Sequence, residues 1–162
     1  MVPEHLREVP LAQQLETAQP GAILSGKLEH GELTLEIAPD SLIGTCRWLK
    51  DAQQFVRLAD LTALDWHPRE PRFQVVYHLH SVEKNERLRL KCSLPGDAAE
   101  IDSVTCVWRS ANWHEREVFD LFGIRFRNHP NLRRIMLPED WDGHPLRKDY
   151  PVFGNKYGYK DE

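Results

Sequence analysis

The sequence predicts an α+β fold: a mixed or antiparallel, hairpin-rich sheet with flanking helices, followed by an extended, proline-broken C-terminal segment. Three observations carry that expectation. Two pairs of alternating runs are joined by short turns, His30-Gly31 in the first and the polar Val82-Glu83-Lys84-Asn85-Glu86 stretch in the second. Apolar residues at helical spacing bracket these runs on both sides. Beyond Gly123, Pro130, Pro138, Pro145 and Pro151 forbid any long regular element.

The first helix is expected within the first twenty residues, where Leu11, Leu15 and Ala18 share a face. Pro10 suits its first turn and Pro20-Gly21 ends it. Ala22–Glu29 and Glu32–Ile37 then alternate as a hairpin. Pro39-Asp40-Ser41 offers a helix start, and Leu42, Ile43, Cys46, Trp48 and Leu49 follow at helical spacing. Phe55–Trp66 alternates imperfectly and reads as one long strand, with Arg72–Ser81 and Arg87–Cys92 as a strand–turn–strand pair. After Leu94-Pro95-Gly96-Asp97 comes a short apolar stretch through Val104, Val107 and Trp108. A helix follows from Asn112 to Phe122, with Val118, Leu121 and Phe122 as its stripe and Gly123 as its stop. Two parts of one structural unit are expected: an α+β domain over residues 1–110, then a helix and charged tail over 111–162 that packs on a partner.

Composition narrows the function classes. The chain has 162 residues, enough to bury a core without disulfides or metal, and five Trp, six Phe and four Tyr to fill it. No run approaches the ~18 apolar residues of a membrane-spanning helix. With 21 basic against 25 acidic residues, net charge −4, there is no basic excess to neutralise a phosphate backbone. Cys46, Cys92 and Cys106 are odd in number and far apart, without a CxxC pair, so no metal cluster is expected from this chain alone. They read as small buried hydrophobes in a reducing compartment. The N-terminal MVPEHLREVP lacks the basic start and apolar run of a signal peptide, and a cytoplasmic location is expected.

One segment carries most of the chemistry. Trp113–Pro151 packs seven basic and seven acidic side chains, three histidines and six aromatics into 39 residues. A tail so charged and so interrupted by proline cannot form its own core, so its order must come from the rest of the domain or from a partner. His114, Glu117, His129 and His144 offer metal-ligand types, but without an HExxH or a second His one turn away. Glu117 and Asp120 could form an acid–base dyad. Against both stands an ion-pair network, which an equal number of acids and bases would supply. Arg133-Arg134 and Arg147-Lys148, interleaved with Phe126, Trp141 and Tyr150, could contact RNA. Glu139, Asp140, Asp142 and Asp149 offset them locally, and the same Arg, Trp and Tyr residues make good protein-interface anchors. No GxGxxG or GxxxxGK motif and no Ser or Cys beside a His–Asp pair is present.

The same segment matches a known pattern. It reads EREVFDLFGI at Glu115–Ile124, HPNLRRI at His129–Ile135 and MLPEDWDGHPLRKDYP at Met136–Pro151. This closely resembles the C-type, 30-kDa subunit family of the proton-pumping NADH:quinone oxidoreductase, respiratory complex I. Asp60-Leu61-Thr62-Ala63-Leu64-Asp65 and the paired strands after it resemble the same family's N-terminal α+β domain more loosely.

The resemblance implies a non-catalytic subunit of the peripheral arm, with no catalytic, cofactor or metal residues of its own. FMN and the iron–sulfur clusters would sit in partner subunits. It implies docking on the D-type partner that helps form the quinone site, beside neighbouring iron–sulfur subunits, on the cytoplasmic side of the inner membrane. Glu115, Arg116, Glu117, Asp120, His129, Arg133, Arg134, Trp141, His144, Arg147, Lys148, Asp149 and Tyr150 would be its signature, serving ion pairing and partner contact. The equivalent subunit of a related membrane-bound hydrogenase or ferredoxin-using complex is the near alternative. A freestanding metal-dependent hydrolase using His114, Glu117, His129 and His144 is the distant one.

Overall fold

The computed structural model describes residues 6–151. Helix α1 spans Pro10–Ala18 and begins on the proline expected in its first turn. Ala12 and Leu15 are buried beneath it, while Ala18, in the last turn, is exposed. Strands β1 (Ile23–Glu29) and β2 (Glu32–Ile37) form the first hairpin. His30 and Gly31 both take positive φ, 52° and 79°, the two-residue turn whose twist suits paired strands. Helix α2 (Leu42–Asp51) starts after a single 3-10 turn at Pro39–Ser41 and buries Leu42, Cys46 and Leu49.

Strands β3 (Arg57–Asp65), β4 (Phe73–Ser81) and β5 (Glu86–Leu94) follow. The imperfect alternation of β3 has a local cause. Its register shifts between Leu58 and Asp60, so two exposed positions separate buried Leu58 from buried Leu61. The five strands lie in the order β1-β2-β5-β4-β3. All neighbours are antiparallel except β2 and β5, which pair in parallel through Leu33–Leu88 and Leu35–Leu90. The sheet is therefore mixed.

Period-two alternation gives the sheet two unlike faces. Phe73, Val75, Tyr77 and Leu79 of β4 join Leu88, Leu90, Cys92 and Leu94 of β5 in the core, with Leu15, Leu42, Leu49 and Phe55 against them. The opposite positions, among them His78, His80, Arg87, Arg89 and Lys91, are half-buried or exposed. Trp108 closes the core from the far side and donates its indole N–H to the Phe55 carbonyl at 3.2 Å.

The C-terminal third holds two short strands, β6 (Glu100–Asp102) and β7 (Arg125–Arg127), paired in parallel, with a 3-10 turn at Val104–Cys106. Between them lies helix α3 (Ala111–Phe122), one residue longer than expected at its start. After β7 the chain runs without helix or strand to Pro151. Among the described residues, no helix is long and apolar enough to cross a membrane.

Candidate partner-docking site

Helix α3 is where the charged signature meets the core. Its spacing sets Glu115, Val118 and Phe122 toward the interior, Arg116 and Asp120 one turn apart beside them, and Trp113 and Glu117 along the outer side, while Leu121 is half-buried against the core. Glu115 and Asp120 have no exposed surface and Arg116 has 8%. Charges so placed require partners.

Glu115 faces the turn before α3. Its Oε2 accepts from Ser103 Oγ at 2.6 Å and its Oε1 from the Val104 N–H at 2.7 Å. The ring of His129 stands 3.8 Å from Oε2 and bonds the Asn112 carbonyl at 3.2 Å. Burial pushes the Glu115 carboxyl up to about 7, against the lowering pull of the Ser103 and Val104 bonds.

Asp120 faces the tail. Arg134 Nη1 donates to Asp120 Oδ1 at 2.7 Å, while Oδ2 accepts three consecutive backbone N–H groups, from Ile135, Met136 and Leu137, at 3.0, 2.7 and 2.9 Å. Burial alone would raise this carboxyl, but the Leu137, Arg134, Ile135 and Met136 bonds outweigh it and hold it below its usual range. Arg134 Nη2 also donates to the carbonyls of Trp141 and Gly143, at 3.2 and 3.1 Å. Arg116 ties the same stretch, donating to the carbonyls of Arg133 and Arg134 at 3.1 and 3.3 Å, with its guanidinium over the Trp113 ring. These bonds do the work of secondary structure for a backbone that has none.

The last turn is fastened at three successive carbonyls. Gly123, in the left-handed region at φ +75°, lets the tail return close beside the helix end. His144 Nδ1 meets the Asp120 carbonyl at 2.8 Å, the Leu146 N–H reaches the Leu121 carbonyl, and Arg147 Nε donates to Phe122 O. Arg147 also lies over the Phe73 ring, 5.2 Å from its centroid. Farther on, Arg72 grips two carboxylates: Asp65 at 2.9 and 2.8 Å and tail residue Asp149 at 3.0 and 2.6 Å. The Lys148 N–H adds a bond to Asp65 Oδ2 at 2.9 Å. Burial raises the Asp65 carboxyl, but the Arg72, Lys148 and His67 bonds dominate and hold it well below the usual carboxylate range. Tyr150 donates its hydroxyl to the Asp142 carbonyl at 3.2 Å.

The segment is thus an ion-pair and carbonyl-capping network, anchored on this chain as far as Tyr150. The dyad does not form, because Asp120 is buried while Glu117 is exposed. The four residues of the metal alternative are not brought together either. His114 pairs with Asp60 at 3.5 Å, His129 and His144 sit on separate carbonyls, and Glu117 faces outward. Among the described residues, no group of three or more His, Cys, Asp or Glu side chains could hold a metal ion.

What the network leaves outside is the candidate site. The side chains of Glu117, Arg133 and Lys148 are exposed, and Trp141 is half-buried. Among them stand large apolar side chains that the network's own bonds hold in place: Trp113 is 59% exposed, Met136 62%, Leu146 51% and Ile135 37%. Met136 is the middle one of the three residues capped by Asp120, and Leu146 is bonded to the last turn of α3. Rigidly presented apolar side chains among charged neighbours are the anatomy of a protein interface.

Residues 35–156 match the family described as respiratory-chain NADH dehydrogenase, 30 Kd subunit. The chain belongs to that family. Similar proteins include the NADH-quinone oxidoreductase C-subunit of Geobacter sulfurreducens, 50% identical over 82% of this chain and 83% of the relative. The C-subunit of the same enzyme from Cereibacter sphaeroides is 47% identical over 94% of this chain and 76% of the relative. Among solved structures, a trypsin-resistant fragment of Nqo5 is 33% identical with a TM-score of 0.66, over 75% of this chain and 98% of the fragment. A chain of the membrane-bound sulfane sulfur reductase, an archaeal respiratory membrane complex, is 26% identical with a TM-score of 0.77, over 88% of this chain and 84% of that one.

In this 30 Kd-family chain, the sequence reading found the tail residues of the network but missed Arg72 and Ser103, which receive them. Their signal is local and faint. Arg72 immediately precedes β4, directly across the β3–β4 connection from Asp65 and Trp66, and Ser103 caps the turn that leads into α3.

Proposed function

We propose that this chain is a non-catalytic subunit of the peripheral arm of an NADH:quinone oxidoreductase. It docks on the subunit that helps form the quinone site and supports electron transfer from NADH to quinone, coupled to proton translocation. The flavin and the iron–sulfur clusters belong to its neighbours, and the assembly sits on the cytoplasmic side of the inner membrane. The observation that carries the docking reading is the outward set of Trp113, Ile135, Met136 and Leu146 on elements whose charges are satisfied inward. Glu117, Arg133 and Lys148 supply a charged rim. The relatives named as C-subunits of NADH-quinone oxidoreductase support the choice of complex.

The likeness to a chain of the sulfane sulfur reductase favours a second reading, the equivalent subunit of a related membrane-bound redox complex. Affinity purification of the tagged full chain from host membranes in mild detergent separates the two. Co-elution of a flavin-bearing subunit, the quinone-site subunit and NADH:quinone activity supports the first reading. Co-elution of an intact membrane complex that lacks NADH oxidation supports the second.

A further inference from the structure

At the opposite end of β3 and β4 from the Arg72 junction, the outer face of the sheet carries arginines interleaved with histidines. Arg57 of β3 pairs with His80 of β4, and His80 with Arg87 of β5. In the next row Asp60 of β3, whose carboxylate also pairs with His114, lies opposite His78, which pairs with Arg89, itself beside Thr34 of β2. Paired strands lie ~4.8 Å apart, so Arg57 and Arg87 flank His80 within about 10 Å. Together with Glu32, Leu33, Ala59 and their neighbours, these side chains line a cleft of about 390 Å³.

Charge in this cleft is unbalanced. Among the described residues lining it, Glu32 is the only acid, and Arg89 already holds that carboxylate at 3.1 Å while reaching Thr34 Oγ1 at 3.3 Å. Arg57 and Arg87 have no hydrogen-bonded or ionic side-chain partner among the described residues. His80 Nε2 is buried without a partner. Arg57 and Arg87 flank His80 from either side and Arg89 lies two residues along from Arg87, so three like charges stand, each within about 10 Å of another, and repel one another. A chain of net charge −4 that gathers three arginines around one carboxylate therefore presents a local conflict, of the kind that marks a binding surface.

We propose that this cleft is a second docking site, which takes an acidic polypeptide segment of a partner protein. Arginine forks match carboxylates in geometry as well as in charge. Arg87 and Arg89 stand at alternate positions of one strand, ~7 Å apart, close to the spacing of carboxylates at i and i+2 on an extended segment or i and i+4 on a helix. The cleft is lined by four strands, β2 to β5, about 15 Å across, a short track for a nucleic-acid backbone, and the chain's net charge of −4 repels one. The cleft shares no lining residue with the tail-side docking face.

The probe is a fluorescein-labelled ten-residue peptide alternating Glu and Ala, titrated into the full chain by anisotropy, with a Gln–Ala peptide as control. The expected result is saturable binding of the acidic peptide only, weakened at least about tenfold in Arg57→Gln/Arg87→Gln. Thermal melts of that variant should match or exceed those of the original chain. Absence of binding, or equal binding by the variant, overturns the proposal. So does a markedly lower melting temperature of the variant, which would make the arginines structural. Arginine-dependent binding of tripolyphosphate or of phosphatidylglycerol vesicles without binding of the peptide also overturns it.

Discussion

The Asp120 carboxylate and the Arg134 guanidinium meet at 2.7 Å, and the same carboxylate caps the three N–H groups that follow Arg134 in the chain. One buried side chain of α3 thereby sets the path of a stretch that has no secondary structure to set it. Removing one partner of a buried pair leaves the other uncompensated. Asp120→Ala should lower stability by about 3–5 kcal/mol in denaturant melts. It should also open the chain to trypsin at Arg133 and Arg134, read as release of the C-terminal fragment before the α+β core is cut.

Glu115 has the opposite pH behaviour from Asp120. Its carboxyl is raised by burial from 4.5 to about 7, so the folded state binds the proton more tightly than the unfolded chain. The stability linked to this group is complete below about pH 4.5 and is lost as pH rises through about 7. Asp120, held below 3.8, contributes stability that is present above that value and lost as pH falls through its lower folded one. Glu115→Gln should therefore flatten the decline in melting temperature between about pH 5 and pH 8 and leave the acid limb in place. An unchanged slope above pH 5 would contradict the assignment.

Arg147 and Lys148 are neighbours with different tasks. Arg147 bonds the Phe122 carbonyl and covers Phe73, whereas Lys148 contributes its backbone N–H to Asp65 and leaves its side chain exposed. Arg147→Ala should cost about 1–3 kcal/mol of stability. Lys148→Ala should leave the thermal melt of the isolated chain within about 0.5 kcal/mol and act on assembly. Parallel melts of the two variants check this pair.

Gly123 is constrained twice. Its φ of +75° disfavours any side chain, and a Cβ there would lie 2.5 Å from His144 Cδ2 and 2.6 Å from Arg147 Nη2. Gly123→Ala should destabilise by about 1–3 kcal/mol and loosen the tail, read as faster amide exchange at Leu146 and Arg147.

Much of this was legible in the chain. The His30-Gly31 turn, the Pro10 start of α1 and the Gly123 stop of α3 are local chemistry and lie where local chemistry puts them. The shift in β3 appeared as broken alternation, although its cause lies in pairing with β4. The parallel contact of β2 with β5 and the short β6–β7 pair depend on residues far apart in sequence, which no local pattern records. The tail network was half legible: density of charge marked the segment, and equal numbers of acids and bases pointed to pairing. Which acid meets which base was not, because Arg72 and Asp149 are brought together only by the fold.

The central claim is that the outward apolar residues of α3 and the tail hold this chain in its assembly. Its most direct test is co-purification of the tagged Met136→Glu/Leu146→Glu full chain from host membranes in mild detergent, with the thermal melt of the purified variant measured alongside. The account predicts an unchanged melt together with loss of the partner subunits and of NADH:quinone activity from the eluate. Full retention of both by a normally folded variant would contradict it.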